Sequence, residues 1–159
     1  MRIYNIREND IANGEGVRLS LFTQGCMRHC PNCFNKETWD VKGGREFTKE
    51  DKEYILKELS KDKYRGLSIL GGEPLYWYID ICALCKSIKI LLPQKDIWLW
   101  TGYNFEEVVK MPVSSYLLEN IDVLVDGDFR EDKKVYNQFR GSSNQRIIHL
   151  NEGKVVKIE

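Results

Sequence analysis

A chain of 159 residues with 24 basic and 24 acidic side chains and a pI near 6.7 can bury a core without disulfide staples, and its balanced charge offers no footprint for nucleic acid or an anionic membrane surface. The start, MRIYNIREND, is too charged for the apolar core of a signal peptide, and no apolar run is long enough to span a bilayer; a cytoplasmic location is expected, with neither nucleic acid nor membrane as partner. Five cysteines, an odd number with three crowded together, suit a reduced compartment better than a disulfide framework.

The first clear element is 17-VRLSLFT-23, which alternates apolar and polar residues after the turn 13-NGEG-16 and predicts a strand. The segment 25-GCMRHCPNCFN-35 follows at once. Next, 48-TKEDKEYILKEL-59 predicts a helix, with Thr48 and Asp51 in capping positions and Ile55, Leu56 and Leu59 on one face. The run 66-GLSIL-70 reads as a buried strand ending in the Gly/Pro break 71-GGEP-74. A second helix is expected over 77–92, its stripe passing through Ile81, Cys85, Ile88 and Leu92, and Pro93 ends it. Strand 96-DIWLW-100, loop 101-TGY-103 and helix 104-NFEEVVKM-111 repeat the pattern up to Pro112. A short helical piece near Ser114 to Glu119 then leads to strand 121-IDVLV-125 and the loop 126-DGD-128. At the end, 146-RIIHL-150 and 154-KVVKI-158 flank Asn151, Glu152 and Gly153 as a hairpin.

Strands alternating with helices predict an α/β fold with a mostly parallel sheet, and the length allows about five or six units. A full eight-unit barrel usually needs ~250 residues, so the expected architecture is an incomplete, open (βα) barrel, with 1–159 as one domain. Ligands of such sheets gather at the carboxyl ends of the strands, where TQGC, GGEP, WTGY and VDGD fall.

Cys26, Cys30 and Cys33 let one wrapped loop aim three thiolates at a common point, and no fourth ligand lies nearby. A structural zinc site wants four ligands and would have to recruit His149, Cys82 or Cys85 from afar. An iron–sulfur cube held by three thiolates keeps one iron open for another molecule. Reactive or merely buried thiols are the third reading. Cys82 and Cys85 lie one turn apart near the apolar stripe of the second helix, which favours core packing over metal binding. His29 directly precedes Cys30, and adjoining side chains in a tight loop seldom reach one metal. No carboxylate pair or nucleophile–base set stands out.

C-x3-C-x2-C after one strand and G-G-E-P after the next resemble the radical S-adenosylmethionine (SAM) superfamily. The upstream 14-GEGVRLSLFTQGC-26 is similar to the entry segment of the glycyl-radical-enzyme activases. Further along, 34-FNKETW-39, 98-WLWTGY-103, 125-VDGDF-129 and 140-RGSSNQRII-148 resemble the activators of anaerobic (class III) ribonucleotide reductase, over about residues 3 to 148.

This resemblance implies a [4Fe-4S] cluster on Cys26, Cys30 and Cys33, with SAM chelating the fourth iron. It implies reduced flavodoxin or ferredoxin as electron donor, and the large reductase subunit as the protein whose glycine becomes a radical. Gly71, Gly72 and Glu73 would hold the methionine part of SAM; Asn32, Cys33 and Phe34 would border adenine; Asp126 would touch the ribose or methionine part. Thr101 and Gly102 would line the same mouth, and Asp128 stands where some relatives have lysine. Arg140, Asn144, Gln145 and Arg146 form a polar loop that either touches the reductase, screens the cluster or is simply solvated. Trp98 and Trp100 are expected in strand packing, and Gly14 and Gly16 in a turn. The competing functions are another small radical SAM enzyme and a zinc-stabilised binding module without catalysis.

Overall fold

A computed structural model describes residues 1–159. In chain order the elements are β1 (Arg2–Asp10), β2 (Arg18–Thr23), β3 (Arg45–Glu46), α1 (Lys49–Leu59), β4 (Gly66–Gly71), α2 (Tyr78–Leu91), β5 (Asp96–Trp100), α3 (Phe105–Val108), α4 (Ser114–Leu118), β6 (Val123–Asp126), β7 (Arg146–Asn151) and β8 (Lys154–Ile158). The eight strands form one sheet in the order β3-β1-β2-β4-β5-β6-β7-β8. No helix is long and apolar enough to cross a membrane.

Only β2, β4, β5 and β6 run parallel, so three crossovers stand where five or six units are expected. Parallel neighbours need a long crossover, and α1, α2 and the α3–α4 pair supply the ones this chain contains. The flanking pairings, β3 with β1, β1 with β2, β6 with β7 and β7 with β8, are antiparallel. The terminal hairpin forms as expected, whereas β1 and β3 were hidden in charged sequence. Of β1 only Ile3 and Asp10 are buried.

Period-two alternation divides the central strands between two faces. Leu19, Leu21, Leu67, Ile69, Ile97, Leu99, Leu124 and Ile148 join Ile55, Leu59, Ile81, Cys85 and Ile88 of the helices in the main core. Cys82 and Cys85 are buried in this cluster, and burial raises both thiols above their ordinary range, so core packing accounts for them. The second, smaller cluster consists of Trp98, Val123, Val125 and Ile147 with Trp100 and Phe139. The loop between β6 and β7 supplies Phe139 to that cluster.

Helix starts follow their chemistry. Thr48 and Asp51 form the capping box, with Asp51 N donating to Thr48 Oγ1 at 3.2 Å and Thr48 N to Asp51 Oδ2 at 2.8 Å. Arg45 grips the same carboxylate at 2.6 and 2.8 Å and holds it down at about 2. The helix expected over 77–92 is α2 preceded by a 3-10 turn, Pro74–Trp77, because Pro74 opens a first turn but donates no N–H. The helix expected over 104–111 is only α3, and turns carry the chain on to Pro112.

Arg18, at the start of β2, is fully buried. It contacts Asp96 Oδ1 at 2.6 Å as an ion pair rather than an aligned hydrogen bond, donates to Ser68 Oγ at 2.6 Å and lies over the Trp98 ring at 5.5 Å. A Cβ at Gly14 would stand 3.0 Å from both Arg18 and Trp98 at a φ of 108°, so the glycine of the 13–16 turn makes room for this pair.

Candidate metal centre

Four loops at the carboxyl ends of β2, β4, β5 and β6 open onto one cavity of about 460 Å³, within the range of small-molecule and cofactor sites. Cys26, Cys30 and Cys33 all line it, and so do Gly71, Gly72 and Glu73, Thr101 and Gly102. All three thiols are free and half-buried. Yet no group of three or more His, Cys, Asp or Glu side chains converges closely enough for a single metal ion. Three cysteines on one loop match the thiolate ligation of an iron–sulfur cube with one iron left open, whereas a closed structural zinc site takes four ligands.

The cysteine loop is anchored at its stem. Gly25 N donates to Thr38 O at 2.7 Å and Cys26 N to Trp39 O at 3.1 Å, while the buried Gln24 side chain donates to Asp40 O at 2.8 Å. Left-handed backbone at His29 (φ 48°) and Asn32 (φ 54°) coils the chain between the cysteines, and Cys33 N closes a turn onto Cys30 O at 3.1 Å. The His29 ring stacks on Trp39 with centroids 4.4 Å apart, which gives it a packing role. Burial raises the Cys26 thiol, with the charges of Glu73 and Cys33 adding to the effect; burial and then Asp128 push Cys30 up to about 11.

The glycines after β4 meet the stem of this loop. A Cβ at Gly72 would lie 2.4 Å from Gly25 O, and one at Gly71 would lie 2.6 Å from Thr23 N. Glu73 N in turn donates to Gly25 O at 2.8 Å. The close approach that Gly-Gly permits is therefore, in the protein itself, an approach to the cysteine loop. Glu73 is buried, and burial raises its carboxyl against the hydrogen bonds that oppose it. Its Oε1 accepts from Leu75 N at 3.0 Å and Thr101 Oγ1 at 2.8 Å, and Oε2 from Gly102 N at 2.8 Å. Its carboxyl group lies in the cavity wall, and its oxygens brace the β4 and β5 loops.

Two expected cofactor contacts stand elsewhere. Asp126 is buried and does not line the cavity; Oδ2 accepts from Phe105 N at 2.7 Å and Oδ1 from Arg146 N at 3.2 Å, with the Arg146 guanidinium against both. It fixes the start of α3 to β7. Asn32 is exposed, lies outside the cavity wall and donates to Glu131. Phe34 does line the cavity, tilted against Phe129 with centroids 4.9 Å apart and with Lys134 Nζ 4.8 Å from its ring centre.

The 140–146 loop is stitched in rather than merely solvated. Gln145 Oε1 accepts from Gly141 N at 2.8 Å and Ser142 N at 3.1 Å, and its Nε2 donates to Gly127 O at 2.8 Å. Asn144 Nδ2 donates to Asp128 O at 2.8 Å, and Arg140 donates to Gln145 O at 2.9 Å. Trp98 is buried as expected; Trp100 instead lines the cavity and donates from its indole to Phe139 O at 2.9 Å. Sequence reasoning missed Phe22, Leu70 and the 135–139 stretch in the wall, and it missed Arg28. A basic residue between two ligand-type cysteines was the available signal for Arg28.

Compared with known proteins, residues 12–148 match the family model described as a 4Fe-4S single cluster domain. The chain is 41% identical over 155 residues to the anaerobic ribonucleoside-triphosphate reductase-activating protein of Salmonella typhimurium, an overlap covering 94% of this chain and 99% of that one. It is 42% identical over 146 residues to the protein of that name from Escherichia coli K12, covering 89% and 94% of the two chains. The corresponding protein of Enterobacteria phage T4 is 37% identical over 146 residues, covering 91% of each.

Proposed function

Since this chain belongs to the 4Fe-4S single cluster domain family, among the anaerobic ribonucleoside-triphosphate reductase-activating proteins, we propose that it activates an anaerobic ribonucleotide reductase by radical SAM chemistry. The observation that carries this reading is the meeting of Cys26, Cys30 and Cys33 with the Gly71–Glu73 loop at one cavity. The donor set fits the cluster: three free thiols carried by one loop line the cavity, a number that leaves one iron of a cube without a cysteine. When bound, the cluster and SAM supply one-electron cleavage of a sulfonium, and with it a carbon radical that takes a hydrogen atom from a glycine Cα of the reductase large subunit.

The residues of the chain supply placement. Cys26, Cys30 and Cys33 hold the cluster. Gly71 and Gly72 let the β4 loop lie against the cysteine loop, and Glu73 offers negative charge to the ammonium group of SAM while holding Thr101 and Gly102 in the wall. Phe34 and Cys33, both in the wall and Phe34 beside Phe129, would border the adenine of SAM. Asn32 and Asp126 act one step back, Asn32 through Glu131 and Asp126 through Phe105 and Arg146. On this reading the four parallel strands are an incomplete, open barrel within a single domain, and a reduced flavodoxin or ferredoxin delivers the electron.

The test is anaerobic reconstitution with iron and sulfide, followed by SAM and dithionite. The expected result is a brown protein that forms 5′-deoxyadenosine and methionine, and a glycyl radical signal on mixing with the anaerobic reductase. A colourless protein holding one zinc, or a cluster-bearing protein that leaves SAM intact, overturns the proposal.

A further inference from the structure

Arg28 sits between Cys26 and Cys30 and reaches Asp128, a hundred positions further along the chain. Its Nη2 donates to Asp128 Oδ2 at 3.0 Å, and its Nε donates to Oδ1 of the same carboxylate in a fork-on-fork pair. Its guanidinium carbon lies 4.7 Å from the centre of the Tyr103 ring. A Cβ on Gly102 would stand 2.3 Å from Arg28 Cδ, so the arginine runs flush along the β5 loop. The same Asp128 oxygen that meets Arg28 Nε is also 3.7 Å from Cys30 Sγ. One carboxylate thus touches both the loop's arginine and one of its thiols.

That arrangement has an electrostatic consequence once Cys30 is an iron ligand. A coordinated thiolate carries no proton, so its contact with Asp128 becomes one between two anions, and Arg28 is the cation in position to offset it. Reduction potentials of iron–sulfur clusters follow local charge, hydrogen bonding to sulfur and exposure. We propose that Arg28 and Asp128 are an opposed pair of positioning residues that clasp the cysteine loop to the β5 and β6 loops and set the reduction potential of the cluster, the arginine raising it and the aspartate lowering it.

This inference rests on the cluster assigned above, and the experiment separates the two. The full chain and its variants are reconstituted anaerobically, and the midpoint potential of the cluster is read from a spin-resonance titration with dithionite. Arg28→Gln is expected to shift the potential negative, Asp128→Asn to shift it positive, and the double variant to fall between the two. A role confined to holding the loop in place would move both single variants the same way; that result, or no shift in either, overturns the proposal. If Arg28→Gln takes up no iron, Arg28→Lys decides the matter: a potential near that of the unsubstituted protein supports the charge role, and a clear negative shift overturns it. Failure of the unsubstituted protein itself to form a cluster would instead strike the functional assignment.

Discussion

The Thr101 hydroxyl donates to Glu73 Oε1 at 2.8 Å, and together with the Gly102 N bond to Oε2 it ties the loop after β5 to the loop after β4. Thr101 Oγ1 also accepts from Tyr103 N at 3.1 Å, so the hydroxyl serves both directions. Thr101→Val keeps the shape and removes both bonds, leaving a buried carboxylate oxygen with one donor fewer. A stability loss of about 1–3 kcal/mol is expected, measured as a lower urea midpoint at unchanged slope. A midpoint equal to that of the unsubstituted protein would show the bond to be dispensable.

Gly72→Ala probes how closely the β4 loop and the cysteine loop must approach. The added methyl would lie 2.4 Å from Gly25 O, a backbone atom that cannot swing aside as a side chain would. Displacement of the cysteine stem should cost about 1–3 kcal/mol and reduce the iron retained after reconstitution, read by metal analysis. Full iron content in this variant would contradict the contact.

The two sets of cysteines should behave oppositely. Cys30→Ser removes a donor from the cavity wall and is expected to leave little bound iron, whereas Cys82→Ala and Cys85→Ala leave the iron content unchanged. The latter pair should instead lower thermal stability, because both side chains fill the core between α2 and the sheet. Iron loss in either core variant would reopen the question of distant ligands.

Asp96→Ala leaves the buried Arg18 guanidinium with hydrogen bonds but without its counter-charge. A loss of about 3–5 kcal/mol is expected from denaturant titration, because an uncompensated buried ion is far more costly than a lost surface pair. A loss well under ~1 kcal/mol, no more than the exposed Arg65–Asp96 pair would account for, would show that Arg18 does not depend on Asp96 for its charge balance.

The pH dependence of α1 follows from Asp51. Its folded value of about 2 lies below the ordinary carboxylate value of the unfolded chain, so its stabilisation is complete above about 4 and fades as pH falls toward 2. Asp51→Asn should therefore lower the unfolding midpoint at neutral pH by an amount equivalent to about 1 kcal/mol, with Arg45 and the capping box both weakened. Near pH 2 the two proteins should converge; a gap that stays constant across this range would rule the linkage out.

Much of this molecule was legible in its sequence because local physics decides it. The alternation in 17–23, the Thr48–Asp51 box, Pro93 after α2 and the Asn151–Gly153 turn each act within a few residues, and each lands where it was expected. The cysteine and GGEP loops were also placed correctly at strand ends. What escaped was decided at long range. β1 is a strand because β2 and β3 pair with it, although its own residues are mostly charged and exposed. Asp126 looks like a loop acid ready for a ligand, yet Phe105 N and Arg146 had already claimed its oxygens. The Arg28–Asp128 contact spans a hundred positions, and no spacing rule predicts such a pair.

That separation bears on when the protein can be loaded during its synthesis. The thiols leave the ribosome early, but Asp128 and Glu131, which hold the cysteine loop through Arg28 and Asn32, follow only about a hundred residues later, or roughly 5–20 seconds at ordinary elongation rates. Iron delivered to the nascent chain would meet an unsheltered loop. Until the residues after β6 are made, the cysteine loop lacks the Arg28–Asp128 and Asn32–Glu131 contacts that hold it in the folded protein.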